Sequence, residues 1–183
     1  MQPSFTFLSP TGFDYIPDFL SVEEEVSLAQ TITGFDLAEF KFHNYIGHRR
    51  VASFGWSYDF AKAQLKEARP IPASLLQIRE KVASLAGIEP TKFGQILVSE
   101  YRQGTVIGWH RDKAVFGEVA GLSLLSPCTF RFRRKAGEKW ERFSQQLEPR
   151  SAYLLRGDIR NSWEHSIPPV PALRYSITFR TLR

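Results

Sequence analysis

Cysteine is nearly absent from this chain of 183 residues: Cys128 is the only one. No intrachain disulfide can form, and the lone thiol favours a reducing compartment, so a cytoplasmic location is expected. Long apolar runs are missing too. No stretch is long enough to span a bilayer, and the N-terminus lacks a basic segment followed by an apolar one, so neither a membrane partner nor a secretory signal is expected. Nothing repeats and no low-complexity linker interrupts the chain; residues 1–183 are expected to form a single, monomeric domain. Histidine is scarce, with four in all: His43, His48, His110 and His165. The net charge of +5 is compatible with a polyanionic partner, but it is common in proteins that touch no nucleic acid.

What is present divides the chain in two. In the first half, Ser21-Val22-Glu23-Glu24 is a capping box, and Val22, Val26, Ala29 and Ile32 follow at helical spacing until Gly34. A second helix is predicted after Pro72, with Leu75, Ile78, Val82 and Leu85 as its stripe and Gly87 as its stop. From Phe93 the pattern changes to short alternating segments. Strands are predicted over 95–101, 121–125, 129–133, 140–143, 151–155, 164–167 and 174–181, with a hairpin turn around Gly137. The fold class is mainly β with flanking helices, a sandwich or a barrel. Residues 1–92 supply the helices and 93–183 the β core.

The chemistry concentrates in the second half. In Gly108-Trp109-His110-Arg111-Asp112, a strand conformation would turn His110 and Asp112 to one face, where both can grip one ion. His165 is the best candidate for a third ligand. Two histidines and a carboxylate on one side of an octahedral ion leave open positions, which suits a non-haem Fe(II) oxygenase. The same set suits zinc with a bound water. Further on, Arg174-Tyr175-Ser176-Ile177-Thr178-Phe179-Arg180 alternates strictly, with Arg174, Ser176, Thr178 and Arg180 on one face. Two arginines separated by hydroxyls match a small dicarboxylate, because each guanidinium can fork a carboxylate. That pairing, and the lack of another evident general base, argue against a zinc hydrolase. A non-enzymatic basic module would leave the three ligands unused.

With H-x-D, a distal His and R-x-S-x-T-x-R in that order, the chain resembles the AlkB family of Fe(II)- and 2-oxoglutarate-dependent dioxygenases. A further match leads into H-x-D through Tyr101, Gly104 and Ile107, although Ser99 stands where the family usually has Asn. The match covers the chain from about Gln95 to Arg183. The resemblance implies a double-stranded β-helix (jelly roll) with the two N-terminal helices packed outside. It implies Fe(II), 2-oxoglutarate and O2 as cofactors, with His110, Asp112 and His165 as metal ligands. It assigns Arg174 to the distal carboxylate of 2-oxoglutarate, Arg180 to the neighbourhood of the iron-chelating carboxylate, and Tyr101, with Ser99 and Ser176 beside it, to the same cosubstrate.

The implied reaction is oxidative removal of N-alkyl groups from nucleic-acid bases, as in DNA or RNA alkylation repair; the alternative is a protein or other substrate. The segment from Phe40 to Trp56 interleaves aromatic and basic residues, as a lid over unpaired bases would. On composition alone it reads rather as a strand pair with a charged loop. The resemblance favours the lid, with Tyr45 and Phe54 expected against the base and Arg49 and Arg50 against the backbone of an alkylated, preferably single-stranded, polynucleotide. Arg131 to Arg142 is a second basic stretch. Ala114 stands where the family often carries an acidic residue that helps select the base, so base selectivity does not carry over.

Overall fold

The computed structural model describes residues 9–42 and 45–183, and side chains outside 41–48. In chain order the elements are β1 (Phe13–Ile16), α1 (Val22–Thr33), β2 (Ala38–Phe42), β3 (Tyr45–Asp59), β4 (Gln64–Glu67), α2 (Leu76–Ala86), β5 (Gln95–Tyr101), β6 (Ile107–His110), β7 (Phe116–Leu124), β8 (Cys128–Ala136), β9 (Lys139–Leu147), β10 (Ser151–Leu155), α3 (Gly157–Ser162), β11 (Glu164–Ile167) and β12 (Arg174–Leu182). The strands form an eight-stranded sheet in the order β1-β10-β7-β12-β5-β3-β2, with β4 on β3, and a four-stranded sheet in the order β6-β11-β8-β9. The architecture is mainly β, as expected, and every strand pair named in the two sheets is antiparallel.

Two cores hold three layers together. The first lies between the helices and the large sheet, where Leu28, Ile32, Ile78 and Val82 meet Ile96, Val98, Leu122, Ile177 and Phe179. The second lies between the sheets, where Tyr101, Val119 and Tyr153 face Phe130, Phe132 and Ile167. Close packing there explains Gly121. A Cβ at that position would fall 2.1 Å from the Tyr153 ring, so the ring lies directly on the strand backbone.

Strand β12 runs through the middle of this arrangement. Its alternation was legible, but its polar face is not solvated. Tyr175, Ile177 and Phe179 pack toward the helices, while Arg174, Ser176 and Thr178 are buried on the other face. A buried polar face needs partners or a ligand.

The α1 stripe differs from expectation. Ala29 and Ile32 point inward with Leu28, but Val22 and Val26 are 57% and 60% exposed. The rotation of the helix is set by distant polar anchors. Glu24 accepts from Lys81 Nζ at 2.8 Å, and Glu25 accepts from the Leu125 backbone N–H at 2.8 Å. The capping box itself forms as read: Ser21 Oγ accepts from Glu24 N, and the Glu24 carboxylate accepts from Ser21 N. Strands β2 to β4 occupy the segment read as a lid and its continuation, and β3 pairs with β5 from Arg49 to Gly55.

Candidate active site

The small sheet brings two histidines together by register. His165 on β11 is the cross-strand partner of His110 on β6, and their ring centroids lie 4.3 Å apart. Together with Asp112 they offer one ligand atom each, all within 4.8 Å of one another. His110 Nδ1 sits 2.9 Å from the Gly108 carbonyl, an acceptor that fixes the proton on that nitrogen and leaves Nε2 free to coordinate.

Asp112 is not on a strand. Strand β6 ends at His110, so the i to i+2 rule of an extended chain does not aim this carboxylate. Two arginines do. Arg180 on β12 forks it, with Nε 3.2 Å from Oδ2 and Nη2 3.4 Å from Oδ1, while its Nη1 donates to Gln95 Oε1 at 3.0 Å. Arg180, expected in the neighbourhood of the iron-chelating carboxylate, reaches that neighbourhood through Asp112.

Arg160 on α3 holds the backbone of the same loop. It is 5% exposed and donates to the carbonyls of Gly117 at 2.8 Å, Lys113 at 2.9 Å, Phe116 at 2.6 Å and, more weakly, Asp112 at 3.5 Å. This one side chain ties the helix that leads into His165 to the loop that carries Asp112. Nothing in the sequence around Arg160 distinguishes it from a surface arginine, because all its partners are more than forty positions away. Arg160→Ala strands several buried carbonyls at about 1–3 kcal/mol each. Metal affinity should fall by roughly 10–100-fold, the usual effect of losing a residue that orients a ligand. Anaerobic Fe(II) titration of the variant checks this, and an unchanged affinity contradicts it.

Electrostatics favours a cation here. Burial drives the Asp112 carboxyl up, but Arg180, His165, His110 and Arg160 together outweigh it and hold the group well below the ordinary carboxylate range. Burial brings His165 down to about 3, helped by His110, and it lowers His110 as well. Both imidazoles are therefore neutral and their lone pairs available. The sign of the pH dependence follows. Below about pH 6.5 the unfolded chain takes up a proton that folded His165 refuses until about 3, so the metal-free protein loses stability as the pH falls through that window. Asp112 stays ionised throughout it. Urea midpoints at neutral pH and in mild acid test this; a midpoint that holds or rises in acid contradicts it.

Beside the three clustered side chains lies a cationic slot. Arg174 is fully buried; its Nε donates to Ser123 Oγ at 3.3 Å, its guanidinium lies 4.8 Å from the Tyr101 ring centroid, and its Nη1 is buried with no hydrogen-bond partner among the described residues. Ser176 Oγ donates to the Tyr101 hydroxyl at 3.4 Å, and Ser99 is the cross-strand partner of Ser176. Burial alone would raise the Tyr101 phenol, yet Arg49, Arg174 and the Ser176 hydroxyl bring it below its usual value. An orphaned guanidinium nitrogen among hydroxyls is what an absent carboxylate leaves behind. The donor set of the ligands and this orphan both fit Fe(II) with a dicarboxylate bound to it.

The residues expected to touch substrate divide. Arg49 faces the site: its guanidinium stacks 4.1 Å from the Phe40 centroid, its Nε is buried without a hydrogen-bond partner among the described residues, and its charge acts on both Tyr101 and His110. Strand alternation turns Arg50 to the opposite face, where it pairs with Glu100 at 3.2 Å and donates to the Leu37 carbonyl at 2.9 Å. Phe54 is a correction. It is 4% exposed and packs on Phe35 in the helix-side core, with no face open to a base. The side chain of Tyr45 lies outside the described residues. Residues not singled out from sequence stand in their place. Phe60 packs on Tyr58 at 5.0 Å and on Phe40 at 5.7 Å, and Lys113, next to Asp112, lies 5.3 Å from both the Tyr58 and Phe60 centroids. Ala114 is exposed in the same loop.

A profile of the 2OG-Fe(II) oxygenase superfamily matches residues 12–180. The chain belongs to that superfamily. Its cofactors are accordingly Fe(II), 2-oxoglutarate and O2, and within the superfamily its relatives are AlkB homologues. It is 27% identical to the Alkylated DNA repair protein ALKBH8 homolog of Arabidopsis thaliana, over 88% of this chain and 52% of that one. It is 26% identical to mouse tRNA (carboxymethyluridine(34)-5-O)-methyltransferase ALKBH8, over 87% of this chain and 24% of that one. Bovine alpha-ketoglutarate-dependent dioxygenase alkB homolog 7, mitochondrial, is 30% identical over 82% of this chain and 65% of that protein. The chain thus spans about half or less of the first two relatives. The solved structure of OsALKBH1 superimposes with a TM-score of 0.69 at 17% identity, covering 96% of this chain and 98% of that one, and shows that the fold is the AlkB-type jelly roll. Among the described residues no helix is long and apolar enough to cross a membrane.

Proposed function

We propose that this chain oxidatively removes N-alkyl groups from nucleic-acid bases, as a DNA or RNA demethylase of the alkylation-repair type. The observation that carries the reading is the ring-and-cation cluster that includes Lys113, next to Asp112. Phe40, Tyr58 and Phe60 with Arg49 and Lys113 combine stacking surface with charge for phosphate, the chemistry that recognises unpaired bases. The ALKBH8 relatives, named for DNA repair and for tRNA modification, support a nucleic-acid target. In this reading β2 and β3 are the substrate lid and the β core is the catalytic unit of one monomeric domain. A cytoplasmic location rests on the single reduced cysteine, which is buried.

His110, Asp112 and His165 would hold the iron, which supplies, with 2-oxoglutarate and O2, the oxidising power for a C–H bond. The other residues bind and orient. Arg174 takes the far carboxylate of the cosubstrate, Tyr101, Ser99 and Ser176 supply hydroxyls along it, and Arg180 keeps Asp112 aimed. The apolar walls of Phe130 and Ile167 exclude water. One oxygen atom of O2 would turn an alkyl C–H into C–OH while the other goes into succinate as 2-oxoglutarate loses CO2; the N–C bond would then break as the hydroxyl proton passes to the base nitrogen, releasing an aldehyde. A base in a duplex would have to be flipped out at a cost of a few kcal/mol, so single strands are favoured.

The test is anaerobic loading with Fe(II) and 2-oxoglutarate, then addition of oxygen across alkylated single- and double-stranded oligonucleotides and methylated peptides, with the lost alkyl group followed by mass. Loss from a base carries the proposal. Turnover with peptides alone would replace it with the protein-substrate reading.

A further inference from the structure

We infer that the outer face of the four-stranded sheet is a docking surface for a single-stranded polynucleotide. The inference rests on the nucleic-acid reading of the site and adds to it a second contact region. Alternation builds the face. On β8, Phe130 and Phe132 point into the core, so Arg131, Arg133 and Lys135 point out. On β9, Phe143 packs inward and Trp140 and Arg142 point out; on β6, His110 faces the site and Trp109 the outside.

These side chains form an ordered tier rather than a loose collection. The Arg133 guanidinium lies 4.4 Å from the centroid of Trp109 and 4.4 Å from that of Trp140, and Arg131 lies 5.2 Å from Trp109. Glu164 fixes Arg133 at 2.7 Å, and Ser166 fixes Arg131 at 3.1 Å. Glu164 is thereby used up. Arg142 and Lys135 are exposed and, among the described residues, have no ion-pair partner.

Two properties of the tier select the occupant. Trp140 is 41% exposed, so part of a large aromatic surface stays open to solvent although it is already held in place. A rigid open ring stacks on a base at little entropic cost. The unneutralised cations around it suit phosphates. An acidic peptide would use the cations but gain nothing from the ring. The position fits as well: β6 is an edge strand, with Trp109 on the outer face and His110 facing the site in the next position. A strand laid on the tier therefore needs only to turn over one sheet edge to present a base to the ligands.

The test measures binding of fluorescent oligouridylate and oligothymidylate to the intact protein, to Trp140→Ala and to the double variant Lys135→Ala/Arg142→Ala. All three changes are at exposed positions. Trp140→Ala should weaken binding by about 5- to 150-fold, equivalent to the roughly 1–3 kcal/mol of one stacked base. The double variant should lower the slope of log K against log salt by about 1.4, at about 0.7 per phosphate contact on a single strand. Succinate formed without a polynucleotide should be unchanged in both. Unaltered binding and slope in the variants overturn the inference and leave the function above standing. A parent that binds neither oligonucleotide overturns both. Displacement of the oligonucleotide by polyglutamate at equal charge concentration assigns the face to an acidic protein instead. Weak binding accompanied by equal loss of succinate formation would make the tier a support of the site and not a dock.

Discussion

Asp112→Ala abolishes 2-oxoglutarate turnover and uncouples the site from its iron. The expected loss of metal affinity exceeds the roughly 10–100-fold that follows from removing a mere supporting residue, because the substitution deletes a ligand and a countercharge together. Without the carboxylate, the Arg180 fork loses its partner and the two imbedded imidazoles face only cations. Asp112→Asn separates the two effects: it keeps the size of the group and one oxygen but loses the charge. Anaerobic Fe(II) titration with succinate release as a second readout should rank the parent above Asn and Asn above Ala. Retained turnover in Asp112→Ala would remove the carboxylate from the ligand set.

The second large effect is at Arg174. Among the described residues its Nη1 is buried with no hydrogen-bond partner, and its Nε makes one long hydrogen bond, to Ser123. Such a group is stable only if an anion completes it. Arg174→Ala should therefore raise the 2-oxoglutarate concentration needed for half-maximal turnover by about two orders of magnitude, within the roughly 2–5 kcal/mol that truncating a buried charge pair costs. Iron binding in the absence of cosubstrate should hardly change. Arg174→Lys restores charge without the fork and should recover only part of the loss. An unchanged half-saturation would mean that the slot serves another ligand.

Both predictions involve residues that could be read from sequence, for identifiable reasons. The cluster of His110, Asp112 and His165 was legible because histidine is rare here, and the slot was legible because the strand period of β12 puts Tyr175, Ile177 and Phe179 on one face and Arg174, Ser176, Thr178 and Arg180 on the other. What could not be read is what aims Asp112. The loop from Asp112 to Gly117 is held by Arg160 through main-chain carbonyls, contacts that carry no side-chain pattern. The rotation of α1 was misread for a similar reason, since Glu24 and Glu25 bind partners from distant elements. Phe54 and Arg49 differ. They lie an odd number of positions apart on one strand, so they cannot share a face; the period was hidden because glycines and charges interrupt the apolar pattern of β3.

Crystals grown without oxygen and soaked with Fe(II) would locate the metal through its anomalous signal. One strong peak is expected within bonding distance of His110 Nε2, a carboxylate oxygen of Asp112 and a ring nitrogen of His165. A peak elsewhere, or one that leaves any of these three side chains uncoordinated, would contradict the ligand assignment.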